Sequence, residues 1–322
     1  MDYLLLIVGL VLLTVCADWL TKGCVGMAAR FRVPEFVVGL TVMAVGTSCP
    51  ELTVSVMSAL KGSSEMAIGN VTGSNLFNTL IILGLCALIK PVAISRENIR
   101  RDIPMCVAAS ILMWVTTADV LFGTGTEGTI GRVEGIIFLL LYVAVILYSI
   151  RSAKKDAPDL ATAPENDAAT ENLMPWWKVF GLIIVGLAGL IYGGNMCLES
   201  ATAIARSWGV SEAIIAITIV AAGTSLPELA SSISAIISKK PSLALGNIIG
   251  SNIANILLIL GASSTIKPLT MGNITPLDIY MVVGSAVVLL LSAVLVGKRK
   301  ITRVEGLLYL AIYVTYVVLL MK

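Results

Sequence analysis

Histidine is absent from this chain of 322 residues. That one absence excludes histidine metal cages, Ser-His-Asp triads and imidazole proton relays together. Charge is scarce as well: Lys, Arg, Asp and Glu make up 13% of the residues, about half the share of a soluble domain. The net charge is only +2 and no basic stripe runs outside short loop clusters, so nucleic acid is not an expected partner. Paired Cys-x-x-Cys spacing is missing too. Cys16, Cys24, Cys49, Cys86, Cys106 and Cys197 all lie in apolar segments and read as reduced, buried small residues. The start, Met1-Asp2-Tyr3, has no basic n-region, so the first apolar run reads as a retained helix.

What fills the chain instead is apolar sequence, 57% of the residues, with a mean hydropathy of +0.95. A soluble domain of this length has no means of hiding so much apolar surface, which points to an all-α polytopic membrane protein. About 20 apolar residues span a bilayer core as a helix. That ruler gives ten segments, at 3–29, 34–60, 65–89, 102–121, 132–151, 175–206, 211–237, 242–266, 276–297 and 303–321. Residues 152–174 differ from all of these, carrying acidic residues, lysines and prolines among alanines. They read as a polar cytoplasmic linker, too short to fold by itself. The expected organisation is a five-helix repeat over 1–151, the linker 152–174, and a second five-helix repeat over 175–322.

The halves align without a gap over their first three segments, at an offset of 177 residues. Gly46-Thr47-Ser48-Cys49-Pro50-Glu51 recurs as Gly223-Thr224-Ser225-Leu226-Pro227-Glu228. Gly69-Asn70-x-x-Gly73-Ser74-Asn75-x-x-Asn78 recurs from Gly246 to Asn255, and Lys90-Pro91 as Lys267-Pro268. Near the end of each half, Arg132-Val133-Glu134-Gly135 returns as Arg303-Val304-Glu305-Gly306. Five crossings are an odd number, so the second repeat is expected to enter the membrane inverted. With both termini outside, sixteen Lys and Arg fall on the cytoplasmic side and five outside, leaving Lys22 inside the first segment. That asymmetry follows the positive-inside rule, and inverted repeats are a recurring design of secondary transporters.

The duplicated motif carries the chemistry. Pro50 and Pro227 remove a backbone donor and disfavour helix at the residue before them. The second and seventh segments should therefore break there. In lipid, broken backbone is tolerated only where it is buried in protein or lines a polar cavity. Thr47, Ser48, Thr224 and Ser225 set hydroxyls beside the freed carbonyls, and Glu51 and Glu228 add charge that a bilayer otherwise rejects. Oxygen donors with two carboxylates suit a hard cation such as Ca²⁺ or Na⁺. Ser74 and Asn78 share a helical face, as do Ser251 and Asn255, and can turn oxygens toward the same ions. Asn70, Asn75, Asn247 and Asn252 read as structural bridges. Asp18 and Lys22, four apart, read as a self-neutralising pair; their second-half counterparts are Asn195 and Glu199, and a coupling role for Asp18 or Glu199 is the alternative. Ser48 and Ser225 have no histidine or lysine base, so an enzyme is not expected.

These residues resemble the α-repeats of sodium/calcium exchangers, within the calcium/cation antiporter superfamily and of the prokaryotic type. The resemblance covers nearly the whole chain. It implies a secondary active antiporter that exchanges Na⁺ for Ca²⁺ by alternating access, electrogenic at three Na⁺ per Ca²⁺, in a prokaryotic inner membrane. Helices 2, 3, 7 and 8 would form the ion-binding core, with helices 1 and 6 sliding across it as the gate. Glu51 and Glu228 would be the shared carboxylates. Thr47, Thr224, Ser48, Ser225, Ser74 and Ser251 would supply hydroxyls, Ala44 and Ala221 backbone carbonyls, and Asn78 and Asn255 the central amides. No cofactor is implied beyond the transported ions, and a ten-helix unit with a complete site would work as a monomer in the bilayer.

Three features depart from the family pattern. Asn255 stands where many prokaryotic members and the potassium-dependent branch carry aspartate, which disfavours K⁺ co-transport and removes proton coupling at that position. The large regulatory calcium-binding loop is absent, and Cys49 replaces a more usual apolar residue. The alternatives are a Ca²⁺/H⁺ or other divalent cation antiporter, and a passive cation channel.

Overall fold

The fold is seen in a computed structural model that describes residues 1–118, 128–155, 173–210, 221–296 and 299–320. Helix dominates these residues. We label the main helices α1 (Asp2–Phe31), α2 (Glu35–Thr47), α3 (Cys49–Lys61), α4 (Ser64–Ile89), α5 (Ile103–Thr117), α6 (Arg132–Lys155), α7 (Trp176–Ser207), α8 (Leu226–Ile237), α9 (Pro241–Ile266), α10 (Pro276–Leu295) and α11 (Arg303–Leu320). Among the described residues, seven helices are long and apolar enough to cross a membrane, or eight when the bent pair α2 and α3 counts as one span. The fourth expected segment holds the 15-residue α5, and part of it lies outside the described residues. The seventh holds α8 and the helical turn Ala221–Gly223, with 211–220 outside the described residues. Most of the linker, 156–172, also lies outside them.

Two compact units account for the packing: Met1–Thr47 with Val145–Asn247, and Ser48–Ala144 with Ile248–Lys322. In the first, α1 lies along α7 with small residues at the seam. A Cβ on Gly186 would come within 2.8 Å of the Leu20 backbone nitrogen, so only glycine permits this approach. In the second unit, α11 packs on α4 and α6 on α9 through matching glycines. A Cβ on Gly306 would sit 2.7 Å from the Gly84 carbonyl oxygen, and one on Gly135 would sit 2.8 Å from that of Gly261. The most enclosed helices are α4 and α9, with 72% and 94% of their apolar windows buried, against 22% for α6 and α11. The outer helices instead show exposed Leu, Ile, Val and Trp, as a lipid-facing surface should.

Short two-stranded ladders tie loops together in the second unit. Val92–Ala93 (β1) pairs antiparallel with Lys300–Ile301 (β4), and Thr129–Ile130 (β2) with Leu269–Thr270 (β3). Arginines add to them. Arg303 Nε donates to the Leu88 carbonyl (3.1 Å) and Arg132 Nη2 to that of Ile266 (3.5 Å), at the C-terminal ends of α4 and α9. Carbonyls there have no intrahelical partner, and a cation is favourable at the negative end of the helix.

The duplication is written in the backbone as well as in the sequence. Lys90 (φ −152°, ψ 130°) and Lys267 (φ −145°, ψ 127°) end their helices in the extended conformation that a following proline favours. Left-handed residues occur at repeat-equivalent turns, Arg32 (φ 52°) with Gly209 (φ 78°) and Gly62 (φ 83°) with Lys239 (φ 63°). Each pair contains one glycine, the residue for which this conformation costs least.

Candidate functional site

Both copies of the Gly-Thr-Ser-x-Pro-Glu motif break the helix at the serine. Ser48 adopts φ −82°, ψ 9° and Ser225 φ −89°, ψ 8°, the same sparsely populated bridge conformation. Between α2 and α3 the axis bends by 48°. A new helix starts immediately after each serine, with the proline in its first turn, where a missing N–H costs nothing. Glu51 and Glu228 also lie in that first turn. Unsatisfied N–H groups make a helix start partly positive, which favours a carboxylate there.

Burial is nearly complete at the expected ligands. Glu51 and Glu228 are each 1% exposed, and Ala44, Thr47, Ser48, Ser74, Asn78, Ser225, Ser251 and Asn255 are buried as well. Thr224 is half-buried. Ala221 opens the helical turn before its motif. Each compact unit carries one motif glutamate, Glu228 in the first and Glu51 in the second.

In each unit an asparagine braces the glutamate helix. Within the second, Asn70 Nδ2 on α4 donates to the Glu51 carbonyl oxygen (3.1 Å) and to Ser55 Oγ (2.9 Å) on α3. Within the first, its equivalent Asn247 on α9 donates to Ser231 Oγ (3.1 Å) and Ser232 Oγ (3.0 Å) on α8. Ser231 Oγ in turn donates to the Glu228 carbonyl (3.1 Å). Thr47 Oγ1 lies 3.4 Å from both the Ala44 carbonyl and Asn247 Oδ1. Ser55 and Ser232 occupy equivalent positions of the repeat, so the same brace is built twice.

The second unit also joins α4 to α9 through amides. Asn255 Nδ2 donates to Asn75 Oδ1 (3.0 Å), and Asn75 Nδ2 to the Asn252 backbone carbonyl (3.4 Å). Asn252 Nδ2 donates to Thr79 Oγ1 (2.7 Å). Beside this chain, Ser74 Oγ, Ser251 Oγ, Asn255 Oδ1 and both amide atoms of Asn78 are buried with no hydrogen-bond partner among the described residues. Native proteins rarely leave buried polar oxygens unsatisfied, since each costs about 1–3 kcal/mol. Hydroxyl and amide oxygens at those positions fit a hard cation that shed its own water to enter.

Two features here escape the sequence reading. Asn78 and Asn255 both sit in wide π-helical stretches, Phe77–Ile82 and Ala254–Leu260, at equivalent places in α4 and α9. Such turns are rare and gather at functional sites. They leave no compositional mark, so no sequence signal could have found them. The others missed are buried carboxylates near segment ends. Asp278 caps α10 at Thr275 and accepts from Tyr316 Oη (2.7 Å), while Glu305 accepts from the Thr302 N–H (2.7 Å). Asp102 is held by Asn98 and Arg101, both at 3.0 Å. Here the capping pattern Thr-x-x-Asp/Glu was available as a signal. Asp18 forms its expected ion pair with Lys22 at 2.5 Å, and Glu199 is exposed.

A family model described as "Sodium/calcium exchanger protein" matches residues 1–151 and 178–322. The "Sodium/calcium exchanger MaX1" of Methanosarcina acetivorans is 30% identical over 99% of this chain and 98% of its own length. The "Inner membrane protein YrbG" of Escherichia coli is 34% identical, covering 85% of this chain and 81% of its own. Among solved structures, the sodium-calcium exchanger NCX_Mj soaked with Na⁺ and Ca²⁺ superimposes with a TM-score of 0.82. That match is 29% identical and covers 98% of this chain and 97% of the other.

Proposed function

Since the chain belongs to the sodium/calcium exchanger protein family, we propose that it exchanges Na⁺ for Ca²⁺ across a membrane by alternating access, using its two motif glutamates. The observation that carries this reading is the repeated break. Two helices stop at equivalent serines, and each restarts on a buried glutamate. Burying an ionised carboxylate is expensive, and positive charge brought to the site offsets that cost. Either one Ca²⁺ or Na⁺ ions can provide that charge, so the two compete for the same oxygens. The emptied protein meets the full cost and is held back from changing conformation, which makes transport obligate exchange.

The ligands in this reading are Glu51 and Glu228, the hydroxyls of Thr47, Thr224, Ser48, Ser225, Ser74 and Ser251, the carbonyls of Ala44 and Ala221, and the amides of Asn78 and Asn255. An amide at 255 does not titrate, so the position offers neither a coupled proton nor a third charge. Two carboxylates neutralise one Ca²⁺, and three Na⁺ returning would move one net charge per cycle.

For the topology we propose ten crossings in two inverted five-helix repeats, 1–151 and 175–322, with both termini outside and 152–174 cytoplasmic. Lysine and arginine partition supports this sidedness. So do the loop ladders, since β1 and β4 belong to two loops assigned inside, and β2 and β3 to two assigned outside. The name of the Escherichia coli relative supports an inner membrane. A single ten-helix chain holding every ligand supports a functional monomer.

The test is ⁴⁵Ca²⁺ uptake into proteoliposomes under imposed Na⁺, K⁺ and H⁺ gradients in turn. Uptake driven by outward Na⁺ alone is expected, sensitive to membrane potential, with none when no counter-ion is present. Uptake driven by a pH gradient would replace Na⁺ with H⁺, and unsaturable flux without any gradient would indicate a channel.

A further inference from the structure

The amide chain between α4 and α9 has a direction, and that direction is set at one end. A backbone carbonyl only accepts hydrogen bonds, so the Asn252 carbonyl oxygen requires the NH₂ side of Asn75 to face it (3.4 Å). Asn75 then presents Oδ1 on its other side. That oxygen accepts from Asn255 Nδ2 at 3.0 Å, so Asn255 in turn must point its own Oδ1 away from Asn75. Oδ1 of Asn255 is the atom left buried without a hydrogen-bond partner among the described residues. Asn75 and Asn255 are 2% and 1% exposed, so water does not compete for either amide.

We propose that Asn75 is a positioning residue for ion binding: it fixes the Asn255 amide so that its oxygen, never its NH₂, is offered to the transported cation. The difference matters because the two ends of an amide have opposite polarity. A free amide in a buried pocket can rotate by half a turn and present N–H hydrogens to a cation, which is repulsive. Asn75 prevents that rotation without itself touching the ion. Divalent binding gains most, since its interaction with an oriented dipole is about twice that of a monovalent ion at equal distance. The inference rests on the assignment of Asn255 as an ion ligand and adds what holds it in register.

A double-mutant cycle separates the two claims. Asn75→Leu keeps the side-chain size and removes the acceptor; Asn255→Ala removes the amide. Ca²⁺ KM and kcat for Na⁺-driven uptake are measured in the wild type, both single variants and the double variant, alongside melting temperature. We expect each single variant to raise the Ca²⁺ KM by about tenfold, as for one reversed or lost contact at a buried group, with kcat changed far less. The double variant should be no worse than Asn255→Ala, because Asn75 acts only through that amide. Asn75→Ser should be clearly less impaired than Asn75→Leu, since its hydroxyl, with a water in the space the amide leaves, can still donate toward the Asn252 carbonyl and accept from Asn255. The Ser variant also keeps the question open to measurement if Asn75→Leu does not fold. Additive losses in the double variant, an unchanged KM in Asn75→Leu, or a Ser variant as poor as the Leu variant would each overturn the positioning role. An unchanged KM in Asn255→Ala would overturn the ligand assignment itself.

Discussion

Glu51 and Glu228 differ from the other buried carboxylates among the described residues in where the chain places them. Asp102, Asp278 and Glu305 are engaged by helix caps, an arginine or a tyrosine hydroxyl near loop ends. The motif glutamates lie instead beside a helix break, each in the first turn of the helix that restarts there and 1% exposed. Glu51→Gln and Glu228→Gln therefore keep the shape and remove the charge that we propose balances Ca²⁺. Losing one charge partner of a buried ion costs at least about 3 kcal/mol, roughly a hundredfold in affinity. Each variant should insert normally, by size-exclusion profile, and lose Na⁺-driven Ca²⁺ uptake; wild-type uptake by either would remove the assignment. Asn255→Asp tests the opposite change. The substitution puts a titratable carboxyl at a position that otherwise has none, neutral when protonated and charged when ionised. Below its pKa the variant should resemble the wild type. Above it the third charge should lower the Ca²⁺ KM and slow turnover, giving a pH profile the wild type lacks. A profile unchanged by the substitution would mean that position 255 does not meet the ions.

At the scale of elements, repeats that are equal in sequence need not be equal in packing. Gly69 and Gly246 occupy equivalent positions of the Gly-Asn-x-x-Gly-Ser-Asn motif. A Cβ on Gly246 would lie 2.2 Å from the Phe36 carbonyl oxygen on α2, and one on the facing Gly39 would lie 2.4 Å from that of Leu243. A Cβ on Gly69 would meet only the Ile274 side chain, at 3.3 Å. Gly246→Ala should thus force α2 and α9 apart at a cost of about 1–3 kcal/mol, seen as a lower melting temperature. Gly69→Ala should be near neutral, because only the end of one flexible side chain has to give way and mid-helix glycine is about 1 kcal/mol less favourable than alanine. Equal losses in both would show that the α2–α9 crossing is not where the motif's second copy is tight. This asymmetry also shows where legibility ends. The breaks at Ser48 and Ser225 are readable, because proline and glycine act through their own backbone. The paired glutamates are readable because a membrane segment tolerates so few charges. The braces Asn70–Ser55 and Asn247–Ser232 are only half readable. The asparagines stand out, but their partners lie 15 residues away and are fixed by helix crossing. The π-helical stretches around Asn78 and Asn255 are invisible, since a wider turn needs no special residue.

For the molecule as a whole, the sequence halves and the packing units do not coincide. Each compact unit draws chain from both repeats. Within the second unit, β1 from the first repeat pairs with β4 from the second, and β2 with β3 likewise. Arg132 of the first repeat caps α9 of the second, and Arg303 of the second caps α4 of the first. The Arg-Val-Glu-Gly motif thus does its work across the repeats: its arginine reaches the opposite repeat's helix end, and its glycine lets that helix close in. Either sequence repeat expressed alone would leave these carbonyls, strand edges and glycine seams without partners, which backbone in lipid does not tolerate. Residues 1–155 alone, and residues 173–322 alone, should accumulate poorly or aggregate when extracted in mild detergent. Co-expressed, the two pieces should assemble, co-purify on a tag placed on either one, and restore Na⁺-driven Ca²⁺ uptake, since the cut falls in the polar linker. Arg303→Ala should weaken this reassembly more than it weakens the intact chain, because the covalent link keeps the effective concentration of the halves high. A first repeat that is monodisperse and stable by itself would show that the cross-repeat contacts are incidental to folding.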